Sequence, residues 1–78
     1  MTINVTDKEL KYMIESNARD IATLLVERRG MNISDALDTL YNSDTYKALK
    51  NPNTGFYFQS PLYIYDFLDN EIKYGKIQ

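Results

Sequence analysis

The residues that most invite a catalytic reading are the carboxylates Asp66, Asp69 and Glu71, which cluster with Asn70 on the last predicted helix. A glycoside-cleaving pair needs a cleft that holds two carboxyls at a set separation, and a calcium loop needs glycine and alternating oxygen ligands in a turn. This stretch offers neither. Asp66 and Asp69 are three residues apart on one helical face with Lys73, the pattern of a solvated, ion-paired surface. Ser34, Ser43 and Ser60 are candidate nucleophiles, but the chain contains no histidine and no cysteine, so the usual general base, thiol chemistry and most transition-metal sites are absent. Each serine stands where a helix cap belongs. The glycines, at Gly30, Gly55 and Gly75, fall at helix ends and turns rather than in a phosphate cradle. This reading assigns no catalytic residue, no metal ligand and no cofactor, and takes the protein not to be an enzyme.

Aromatic surface is the chemistry that remains. There are seven tyrosines and three phenylalanines in 78 residues. In the last predicted helix, Ile64, Tyr65, Leu68 and Ile72 form one apolar stripe, while Tyr63, Phe67 and Tyr74 form a second on the far side. Two apolar faces imply two neighbours. The second face is covered by Phe56-Tyr57-Phe58 folding back, or it meets another chain. Phe56, Phe58, Tyr63, Phe67 and Tyr74 are therefore the expected contact surface. Tyr41, Tyr46 and Tyr65 read instead as walls of a thin core. Asn17 lies in the centre of the apolar face of the first helix, where an amide sets helix register or, the reading favoured here, bonds a nearby backbone carbonyl or turn.

These side chains need elements to hold them. Thr6 followed by Glu9 is a capping box, and Arg28-Arg29-Gly30 is a basic last turn with a left-handed stop, so a helix is predicted over Asp7 to Arg29. Leu10, Met13, Ile14, Ala18, Ile21, Leu24 and Leu25 fall on one face about 140° wide, the core-facing stripe. On the polar remainder of this helix, Asp7 with Lys11 and Glu15 with Arg19 are spaced for ion pairs. Two short helices follow, the first capped by Asn32 or Ser34 and the second by Ser43. Asn51 to Gly55 is a turn, Phe56 to Gln59 reads as extended by propensity, and Ser60-Pro61 opens a last helix that Gly75 closes. The expected fold is mainly α. It is a single domain over residues 1–78 of two long and two short helices with one short extended aromatic segment, residues 1–5 being a flexible lead. The first and last helices are expected to pack antiparallel, with the short pieces capping one end.

A chain this short buries only roughly 60% of its unfolded surface, and without disulfides or zinc the common remedy is oligomerisation. A homodimer is expected, with an unidentified protein partner as a further option. No leader or membrane-length apolar run is visible, which points to the cytoplasm. A net charge of −2 and the absence of a long basic run argue against nucleic acid. The stretch Thr54-Gly55-Phe56-Tyr57-Phe58-Gln59-Ser60-Pro61-Leu62-Tyr63-Ile64-Tyr65, preceded by the helical Tyr46-Lys47-Ala48-Leu49, resembles a family of short uncharacterised bacterial proteins with a TGxYxQSPxYxY segment before a final helix. That resemblance implies a mainly helical bacterial cytoplasmic protein and brings no activity and no functional residue. The expectation is a non-catalytic protein–protein interaction module. The alternative is a small DNA-binding or antitoxin-like regulator that uses residues 34–49 as a helix-turn-helix, for which Lys47 and Lys50 supply little charge.

Overall fold

The computed structural model describes residues 6–75; the lead expected at residues 1–5 lies outside them. The chain is mainly α, with α1 at Asp7–Arg29, α2 at Ile33–Tyr41, α3 at Asp44–Lys50 and α4 at Pro61–Tyr74. The ends follow from local chemistry. Thr6 Oγ1 accepts from Glu9 N at 3.1 Å, and the Glu9 carboxylate returns the bond to Thr6. Asn32, Ser43 and Ser60 accept in the same way at the starts of the other helices. Gly30 and Gly75, both left-handed, close α1 and α4 as the sequence predicts.

Three expectations are corrected. Phe56–Phe58 is not extended but a 3₁₀ turn, and Pro52–Thr54 before it is another. Four residues without a neighbouring strand would leave their amides unpaired, whereas the curl lets Phe58 N and Gln59 N donate to Gly55 O and Phe56 O. Gly55, at φ 73°, makes the reversal between the two turns. Second, α1 and α4 run parallel. Asp20, Thr23 and Leu24 face Ser60, Pro61 and Leu62 across a shared groove, Arg28 lies over Tyr65, and Arg29 reaches Asp69. Third, the short elements line α1 rather than cap one end. Tyr46 and Lys50 stand beside Leu10 and Ile14, and Tyr57 lies beside Asn17, so the chain has already travelled back along α1 before α4 begins.

The core is one cluster. Ile21, Leu25, Ala36, Leu40, Leu49, Ile64 and Leu68 are inaccessible, and Tyr57 and Tyr65 are nearly so. On α1 the buried positions begin at Asn17; Leu10, Met13 and Ile14, though on the predicted face, are half-buried. Of the tyrosines expected inside, Tyr65 is buried and Tyr46 half-buried. Tyr41 is not, being 52% exposed with its ring edge-on to Tyr46 at 5.0 Å. It follows Leu40 on the last turn of α2, where the neighbouring position, not its own, faces the core.

Candidate functional site

The carboxylates of α4 are used by the fold. Asp69 lies 2.9 Å from Lys73 and 2.7 Å from Arg29, and these two cations hold its carboxyl below the ordinary aspartate range. Glu71 reaches α3, accepting from Asp44 N at 2.7 Å and from Thr45 N and Oγ1 at 2.9 and 2.8 Å. Burial pushes this carboxyl up, but the three donors outweigh it and leave the group below its usual value. Asp66 stands exposed. The pairs expected on α1 between Asp7 and Lys11 and between Glu15 and Arg19 are not among the ion pairs of the described residues. Among those residues no group of three or more His, Cys, Asp or Glu could hold a metal ion, and no helix is long and apolar enough to cross a membrane.

The expected contact residues divide into three groups. Phe56, Tyr63 and Phe67 come together: Phe56 lies 5.0 Å from Phe67 and 6.2 Å from Tyr63, and the two rings of α4 are 5.3 Å apart. Phe56 thus folds back on the second stripe, yet Tyr63 stays 45% exposed beside a shallow groove with Asp66 and Asn70. Leu62, next to Tyr63, is also exposed. Phe58 turns the other way. Its ring meets Tyr57 edge-on at 4.9 Å and lines a cleft with Tyr12 and Met13. Tyr74, at the end of α4, is exposed and joins neither group.

Asn17 donates from Nδ2 to Tyr57 O at 2.9 Å, a bond from the middle of α1 to the 3₁₀ aromatic turn. The favoured reading of this residue therefore holds. Tyr12, the most exposed large apolar side chain of the described residues, was absent from the expected contact surface. The signal that could have found it is its place beside Met13 near the start of a helix longer than the rest of the chain can cover. Of the α3 cations, Lys47 pairs with Asp44 at 3.5 Å and Lys50 lies 4.9 Å over the Tyr46 ring. Comparison of the chain with protein-family models, with curated proteins and with solved structures finds no match.

Proposed function

We propose that this protein is a non-catalytic protein–protein interaction module that forms a homodimer through the outer flank of α4. One observation carries the reading: the Phe56, Tyr63 and Phe67 rings pack into a single aromatic cluster on which Tyr63 stays 45% exposed and the other two rings are half-buried. Large exposed aromatic patches are costly on a small monomer and are enriched at interfaces, where tyrosine supplies area together with a polar tip. The shallow groove beside the patch carries a single carboxylate, Asp66, next to the Asn70 amide, so a second copy can approach without crowding like charges. Tyr74 lies at the far end of the same helix, and a bacterial cytoplasmic setting agrees with this role. Sedimentation equilibrium at micromolar concentration tests the proposal. A dimer that Tyr63→Ala weakens about tenfold is expected; a strict monomer overturns it.

A further inference from the structure

The cleft between α1 and the 3₁₀ aromatic turn differs from the other grooves in having a buried amide at its floor. Asn17 is 8% exposed, and the cleft into which it opens is lined by Tyr12, Met13, Ser16, Tyr57, Phe58 and Gln59. One amide hydrogen of Asn17 is taken by Tyr57 O. Its other amide hydrogen and Oδ1 have no hydrogen-bond partner among the described residues, and Oδ1 is not sealed from the surface. A primary amide with one free donor and one free acceptor side by side complements a peptide unit, which offers one carbonyl and one N–H. Because Oδ1 reaches the surface, water satisfies it in the free protein, and a ligand's peptide unit would take the place of that water.

The walls define the rest of the ligand. No Lys, Arg, Asp or Glu side chain lines this cleft, so it offers no charged partner to a phosphate, carboxylate or cation. The volume, about 230 Å³, lies below the roughly 300–1,000 Å³ of small-molecule sites and suits one large side chain. Tyr12 and Met13 also line an adjoining groove whose far side is Lys8 and Glu9, so the uncharged track ends at Tyr12 and Met13. Methionine and aromatic walls adapt to varied apolar side chains.

We propose that this cleft binds an extended segment of a partner protein, its main chain paired with Asn17 and one uncharged, apolar side chain seated between Tyr12, Met13 and Phe58. This rests on the interaction-module reading but not on the dimer through α4. The probe is a phage-displayed library of random short peptides panned on the immobilised full-length protein, with enriched sequences made as capped peptides. Expected sequences carry a large apolar residue flanked by uncharged ones. Titrating them into ¹⁵N-labelled protein shifts the Asn17 side-chain amide resonances. Tyr12→Ala and Phe58→Ala, both at exposed positions, weaken binding about tenfold, as does N-methylation of the peptide bond paired with Asn17.

The proposal is overturned if panning enriches nothing, if peptides bind a Tyr12→Ala/Phe58→Ala double variant equally well, or if the Asn17 amide does not respond. It is also overturned if that amide shifts on concentrating the protein without peptide, because a second copy would then be the occupant. Sedimentation separates the two readings. A monomer that binds peptide keeps this inference and loses the α4 dimer, and a dimer that binds none does the reverse.

Discussion

Asn17 and Glu71 each hold backbone groups that helix geometry leaves without partners. The Tyr57 carbonyl lies on a buried residue of a 3₁₀ turn, and the Asn17 amide is its donor. Asn17→Leu removes that donor, and we expect a loss of about 1–3 kcal/mol in urea unfolding, since a buried acceptor is left bare. An unchanged midpoint would show that water replaces the amide freely. Glu71→Gln keeps one acceptor of two and removes the charge, for an expected loss of about 1–2 kcal/mol by the same assay. The pH dependence follows from the sign of the shifts. Glu71 and Asp69 are both held below their ordinary values when folded, so their contribution is fully present above those values. It is lost as pH falls through the depressed, folded ones. Stability should therefore decline below about pH 4.5, the ordinary glutamate value, and decline less steeply in Glu71→Gln. Equal slopes in the two proteins would remove Glu71 from the account.

At the scale of elements, α3 is a seven-residue helix, far too short to persist alone, and it exists because its first turn is satisfied from outside. Ser43 joins it to α2: its Oγ donates to Leu40 O at 2.6 Å and accepts from Tyr46 N at 3.0 Å. One buried hydroxyl thus serves the last turn of one helix and the first turn of the next. Ser43→Ala should cost about 1–2 kcal/mol, and chemical denaturation monitored by circular dichroism would measure it. The 3₁₀ turns depend on Gly55 in a different way. Its φ of 73° is strained for other residues, and an added Cβ would stand 3.2 Å from the Phe58 ring. Gly55→Ala should lower the melting temperature and displace Phe58, which the resonances of the aromatic turn would report. A variant as stable as the parent would show that the turn relaxes at little cost.

Across the whole molecule, α1 spans roughly 35 Å at about 1.5 Å per residue, close to the longest dimension of 38 Å. The core packs on it from Asn17 onward, so its first turns extend along a thinner part of the structure. Their side chains Leu10, Met13 and Ile14 are half-buried, and Tyr12 is exposed. Opening of that end needs little core disruption. Amides of Lys11 to Glu15 should exchange with solvent much faster than those of Ile21 to Leu25, in hydrogen exchange followed by nuclear magnetic resonance. Uniform protection along α1 would mean that something covers its amino-terminal half, and the peptide-binding cleft begins on that half.

The limits of the helices were legible because they are set by neighbours in sequence. Thr6 with Glu9, Asn32, Ser43, Ser60-Pro61, Gly30 and Gly75 each act within one turn, and the structure uses all of them. The pairing of Asp69 with Lys73, one turn apart, was legible too; the relative direction of α1 and α4, the reach of Arg29 to Asp69, the role of Glu71 and the separation of Phe58 from Phe56 were not. They depend on where a long connection returns the chain, which hydrogen-bond preferences within a turn do not specify. Periodicity placed Leu10, Met13 and Ile14 on one stripe with Leu24 and Leu25, but a stripe records only which side of a helix is apolar. How far along α1 the other elements reach is settled by their packing, and so tertiary structure alone decided which part of that stripe is core and which part stays half-buried.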